Sequence, residues 1–248
     1  MRNEYGIQLY SVRDLSGKSL ESALEAVSEL GYKYVEFASF FENSAKDVLE
    51  MLEKNNLKVS GTHTGWNELA PENLSKLIEF HKTIGNKNII IPGFDRSEQT
   101  LEKIIAYVNH AIPILREHGI CVGYHNHSFE FETADYGKVI FDEIATRTAV
   151  DLEIDIFWAY DAGVDVIELI EKYKSRVKMI HLKDGFAKRE TVSAKPEGKS
   201  LGLGNAPIKE VIEYAENNGI LMVVESEGLE PSGIEEVARC MEFLKANG

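Results

Sequence analysis

VDLEIDIFWAYDAGVDVIELIEKYKSRVKMIHLKD, residues 150–184, carries the reading of the fold. VDLEID (150–155) and VKMIHLKD (177–184) are short, largely apolar runs of strand length. DVIELIEKYKS (165–175) between them is longer and amphipathic, as a helix against a sheet must be. Strand, helix, strand in this order predicts two parallel strands joined by a right-handed crossover.

The same unit repeats outward in both directions. Strands are expected at EYGIQLY (4–10), YKYVEF (32–37), LKVSGTH (57–63), NIIIPG (88–93), ICVGYHN (120–126) and ILMVVESE (220–227). Helices are expected over 19–31, 44–56, 71–85, 97–119, 136–146, 207–219 and 233–248. In the first of them Leu20, Ala23, Leu24, Val27 and Leu30 recur at three- and four-residue steps, and Gly31 is placed to stop it. Pro71 suits a first turn, whereas Pro113 predicts a kink or a split in a long helix. Eight strand–helix units in 248 residues, without a compositional break, predict one domain over 1–248. Its fold class is α/β, a closed (β/α)8 TIM barrel rather than an open sheet. The polar stretch from the seventh strand to about Asn205 is long for a connection, which marks it as functional or mobile.

Composition removes several classes of function. A net charge of −14 repels phosphate backbones, so nucleic acid is not expected as a partner. No apolar run approaches the roughly 18 residues of a membrane span. The start, MRNEYGIQLY, lacks the apolar segment of a secretory signal, so the expected location is cytoplasmic. Cys121 and Cys240 make neither a disulfide framework nor a zinc ligand set.

In a (β/α)8 barrel the active site gathers at the C-terminal ends of the strands. Those ends carry Gln8 and Tyr10, Glu36, His63, Pro92, His125 and His127, Asp155, His181 and Lys183, and Glu225 and Glu227. Singly each has an ordinary explanation: a strand-end histidine is commonly a hydrogen-bonded surface group, and an aspartate a cap for the next helix. The alternation Asp151, Glu153, Asp155 reads as a strand with one wet face. Seven polar ends out of eight at one rim are harder to assign to chance. His125, Asp155, His181 and Glu225 end four consecutive strands, and two imidazoles with two carboxylates make a divalent-metal site. The nitrogen–oxygen mix suits Mn²⁺, Co²⁺, Zn²⁺ or Fe²⁺ better than Ca²⁺.

At these residues the chain resembles the sugar phosphate isomerase/epimerase superfamily with the xylose isomerase-like barrel. The resemblance rests on IQLYSVRD (7–14), YHNHSFEF (124–131), EIDIFWAYDAG (153–163), HLKD (181–184) and VVESEG (223–228). It implies one divalent metal ion (Mn, Co, Zn, Fe or Mg) held by Asp155, His181, Glu225 and a fourth ligand from the fifth strand. Epimerases of this superfamily carry a glutamate there. Here His125 stands in its place and Glu130 follows five residues later, so either is the candidate.

The implied chemistry removes a proton beside a metal-bound carbonyl. Glu225 is the expected base, with His127, Lys183 and Glu227 as candidate second acids or bases. Lys183 is equally readable as one half of a salt bridge with Asp184 or a neighbouring carboxylate. His63, Trp66, Trp158 and Tyr10 are the expected substrate contacts, and Glu36 and Arg13 stand close by. The expected partner is a small carbohydrate, and the expected activity is isomerase or epimerase. The alternative is a lyase or dehydratase on a cyclitol or keto-sugar. A DNA-repair role is disfavoured by the charge and by the histidine-free end of the fourth strand. A non-catalytic sugar-binding barrel is the fourth reading. Analogy with similar barrels adds the expectation of a homo-oligomer.

Overall fold

The computed structural model describes residues 4–247. Eight parallel strands close into a barrel: β1 (Gly6–Gln8), β2 (Tyr34–Phe37), β3 (Lys58–His63), β4 (Asn88–Ile91), β5 (Cys121–His125), β6 (Asp151–Asp155), β7 (Val177–Leu182) and, last in the ring, Leu221–Val224. Two short strands, β8 (Asp184–Phe186) and β9 (Glu197–Lys199), pair antiparallel outside it, so the eighth barrel strand is β10. Closure is made by Ile7 opposite Val224, and Gln8 faces Glu36 across the next seam.

The strands are buried on both faces, as parallel strands sheathed by helices must be. Ile89, Ile90 and Ile91 are all inaccessible to water. Outward side chains pack against the helices, while Ile90, Met179 and Val223 form a small separate plug inside the barrel. Above the plug the interior turns polar. Inward positions recur every second residue, so Met179 is followed on β7 by His181 and, just past the strand's end, by Lys183.

Several elements differ from expectation. The first strand stops at Gln8 because its side chain accepts the Tyr10 amide and starts a 3-10 turn over Leu9–Val12. The helix Glu98–Glu117 runs through Pro113 unbroken. Pro113 lies on the exposed face one turn from the end, where water can satisfy the carbonyl its missing N–H leaves free. Pro71 precedes its helix, which begins at Leu74. The fifth helix starts at Ile140 because Thr133 and Val139 first bridge around Gly137. A further helix, Ile156–Asp161, follows β6 without a loop. The final helix reaches Asn247, and Gly248 and residues 1–3 lie outside the described residues. Among the described residues no helix is long and apolar enough to cross a membrane.

Candidate metal centre

At the C-terminal mouth, β6 and β7 run side by side with Asp155 opposite His181. His125 ends β5, and Glu225 follows β10 directly, its amide still bonded to the Leu182 carbonyl. One ligand atom from each of His125, Asp155, His181 and Glu225 lies within 4.8 Å of every other. All four side chains are buried.

Asp155 also caps the helix Ile156–Asp161: Oδ1 accepts the Trp158 amide at 2.9 Å. Its other oxygen, Oδ2, is buried with no hydrogen-bond partner. A buried carboxylate oxygen without a hydrogen bond is costly, and the Lys183 ammonium stands 4.0 Å away, too far to donate one. Burial raises the Asp155 carboxyl to about 7, against the pull of Lys183. Burial also holds His125 well below its ordinary value, so it is a neutral imidazole, the form that ligates. The orphaned oxygen and the N₂O₂ donor set both fit a divalent cation.

His181 is clamped from both sides. Its Nε2 lies 2.6 Å from Glu36 Oε2 and its Nδ1 3.0 Å from Glu225 Oε2. Burial pulls His181 down, but Glu153, Glu36 and Glu225 outweigh it and raise it well above the usual range. Glu36 is fixed in turn by the Gln8 amide, which donates to it at 2.8 Å. Gly61 makes room for it: a Cβ there would come within 2.8 Å of Glu36 Oε1.

Beneath the cup, Glu153 gathers three imidazoles onto one oxygen. His63 Nε2, His181 Nε2 and His125 Nδ1 lie 3.0, 3.2 and 3.4 Å from Glu153 Oε2. Burial opposes its charge, but His181, His125 and His63 together hold its carboxyl well below the ordinary range. Glu153 was not expected as a site residue. The alternation Asp151–Glu153–Asp155 was its signal, and the wet face read from that pattern is at Glu153 and Asp155 the polar barrel interior.

Lys183 is inaccessible and its ammonium touches Glu227, with Glu225 Oε2 at 3.7 Å and Asp155 Oδ2 at 4.0 Å. Burial works against the charge, yet the three carboxylates hold Lys183 up at about 12. The ion pair is therefore with Glu227. Asp184 instead accepts the amides of Gly185, Gly202, Gly204 and Ala206, tying the long loop to the barrel.

A cavity of about 520 Å³ opens over the cup, lined by Tyr10, His63, His125, His127, Trp158, Glu225 and Glu227. The Lys183 ammonium sits 4.4 Å from the Trp158 ring centre, and Tyr10 stacks on the Arg13 guanidinium at 4.4 Å. His127 is half-buried, with its ring 5.7 Å from that of Trp158. Two expected residues lie elsewhere. Trp66 packs against Tyr107 and does not line this cavity. Among the described residues two groups of side chains are close enough to hold a cation, the cup and a second set of His63, His125, Glu153 and His181, and Glu130 belongs to neither: Tyr124 Oη donates to one of its oxygens at 2.9 Å and the His127 amide to the other at 2.8 Å. Of the two candidates from the fifth strand, the structure brings His125 to the cup and turns Glu130 into a cap for the turn Ser128–Phe131.

Comparison with known proteins agrees with this architecture. A sugar phosphate isomerase/epimerase from Parabacteroides distasonis ATCC 8503 superposes with a TM-score of 0.79 at 24% identity, covering 99% of this chain and 94% of that one. The probable 3-DHS dehydratase AsbF from Bacillus anthracis gives 0.75 at 11% identity over 98% and 99%. A D-allulose 3-epimerase from Methylomonas sp., in complex with D-allulose, gives 0.70 at 14% over 100% and 98%. At these identities the likeness shows the fold alone. No curated protein matches the chain. The family model for the xylose isomerase-like TIM barrel matches residues 24–246, and the chain belongs to that family.

Proposed function

We propose that the chain is a divalent-metal-dependent isomerase or epimerase of a sugar or sugar derivative. The observation that carries this reading is the convergence of His125, Asp155, His181 and Glu225 at the barrel mouth, where His125 and Glu225 also line the rim cavity. A divalent cation held there supplies electrostatic stabilisation of the negative charge that develops on a sugar carbonyl oxygen.

The chain's own residues supply the rest. Glu225 borders the cavity and is held ionised: burial opposes its charge, but Lys183 and His181 outweigh it. It is the base that takes the proton from the carbon beside the carbonyl. Lys183, paired with Glu227, is an ammonium that can return a proton to carbon or oxygen. His127 and Tyr10 line the wall and can orient hydroxyls, with Trp158 as an apolar face for the ring. His63 is oriented by Glu153 and reaches the same space.

A lyase or dehydratase reading has its own support. The cup holds one glutamate, with His125 opposite it rather than a second carboxylate, and the Lys183 ammonium beside it suits protonation of a departing hydroxyl. Both readings begin with the same proton abstraction. The test is elemental analysis of the purified protein, followed by a screen of free, phosphorylated and oxidised sugars in deuterated water. Exchange of a carbon-bound hydrogen without net elimination supports isomerase chemistry, and loss of water supports the alternative. Exchange that survives Glu225→Gln removes Glu225 as the base.

A further inference from the structure

Beside the polar cup lies a second hollow of a different character. It has a volume of about 390 Å³, within the range of small-molecule sites. It sits between the loop after β2 and the helix Leu74–Thr83; Phe40, Leu77 and Phe80 give it an apolar face, and Thr64, Glu68, Asn73, Lys76 and His81 bring polar groups to the same lining. Phe40 and Phe80 meet with ring centres 4.5 Å apart, and Phe40 also packs on Phe37 at 4.9 Å. The hollow and the cup cavity share two wall residues, His63 and Gly65.

The loop that forms its outer wall is held in an unusual conformation. Phe41 and Glu42 both have positive φ, at 48° and 63°, although neither is glycine. The Asn43 amide donates to the Phe40 carbonyl at 2.7 Å and fixes the turn. Such backbone persists only where its surroundings hold it, and it keeps Phe40 over the hollow while leaving Phe41 exposed at the rim.

We infer that the hollow receives an apolar or aromatic substituent of the substrate, whose carbohydrate part occupies the cup. The substrate class is then an aryl- or acyl-substituted sugar rather than a free one. This rests on the proposed function for the cup and on the hollow independently. The polar cup and the hollow with its aromatic face lie on either side of His63 and Gly65, an adjacency that matches a molecule with one polar and one apolar end.

The test uses fluorine NMR of 4-fluorophenol with the 248-residue chain, together with two variants that obstruct the hollow from opposite walls. Leu77→Lys acts from the helix, and Ser39→Trp acts from the exposed loop where the core is not touched. The expected result is broadening of the fluorine line by the wild-type protein and at least tenfold weaker binding by both variants. No broadening, or equal broadening by all three proteins, overturns the inference. Metal content measured on the same samples separates the two readings. A metal-free protein that still binds the phenol in the hollow sinks the cup alone, and a metal-loaded protein that does not bind it sinks the hollow alone.

Discussion

His181 Nε2 lies 2.6 Å from Glu36 Oε2, so the imidazole that faces the cup with one nitrogen is anchored by a carboxylate on the other. A ligand histidine held this way has its tautomer and its ring plane fixed before any cation arrives. Glu36 is itself held by Gln8, so the support passes from β7 through β2 to β1.

Glu36→Gln is therefore expected to weaken divalent-metal affinity by roughly 10- to 100-fold, the usual effect of removing such a partner. A competition titration of Mn²⁺ or Co²⁺ against a chelating dye measures it. Unchanged affinity would show that Glu36 merely fills space under His181.

Glu153 predicts a different outcome. Three imidazoles approach one of its oxygens, and deleting it takes the nearest carboxylate from His63, leaving that ring with Glu36 at 3.5 Å, while His181 keeps Glu36 and Glu225. Breaking a buried pair from one side typically costs about 3–5 kcal/mol. Glu153→Ala is expected to lower the melting temperature by on the order of 10 °C in a chain of this length. The loss should persist after chelation, because the defect lies beneath the cup. A loss seen only with metal bound would instead make Glu153 part of the ligand set.

The contrast between Glu153 and Asp155 shows what the sequence makes legible. Both lie on one strand, two residues apart, and both point inward. Asp155 was identifiable because strand ends are where barrels keep their chemistry. Glu153 was hidden because a polar residue every second position describes a solvent face and a polar interior equally well. The barrel was legible throughout, since eight alternating runs leave few topologies. Trp66 lies away from the cavity, and Glu130, one of the two open candidates for the fourth ligand, lies away from the cup, because short 3-10 turns after β3 and β5 redirect the chain and nothing in the residue types announces them. The β8–β9 pair was missed for a related reason: its strands are three residues long, and Asp184 organises them by accepting four backbone amides.

Metal binding is expected to release protons and to weaken with acid. The Asp155 carboxyl stands at about 7 through burial, and His181 is raised well above its usual value by Glu153, Glu36 and Glu225 despite burial. A cation needs the ionised carboxylate and an imidazole nitrogen free of its proton, so it competes with both protons. Affinity should fall with pH through both groups, the His181 proton competing already above its usual range and the Asp155 proton adding to it below about 7, and Asp155→Asn should remove the second part while lowering affinity overall. Calorimetry of Co²⁺ binding in buffers of different ionisation enthalpy measures the protons released. A heat that does not vary with the buffer would contradict the assignment.

His81 sets a pH limit on stability away from the cup. It lies buried in the helix Leu74–Thr83, and its Nδ1 accepts from the Asn86 amide at 2.9 Å. Burial lowers it to about 4, against about 6.5 in an unfolded chain. Between these values the unfolded state binds the proton and the folded state does not, so stability rises with pH. The contribution is complete above about 6.5 and is lost as pH falls toward 4; at full extent it is about 3 kcal/mol. His81→Gln cannot titrate and should flatten this part of the profile. Urea unfolding at pH 7.0 and pH 4.5 tests it: the wild-type protein should lose more stability between the two than the variant does. Equal losses would place the acid sensitivity in other groups.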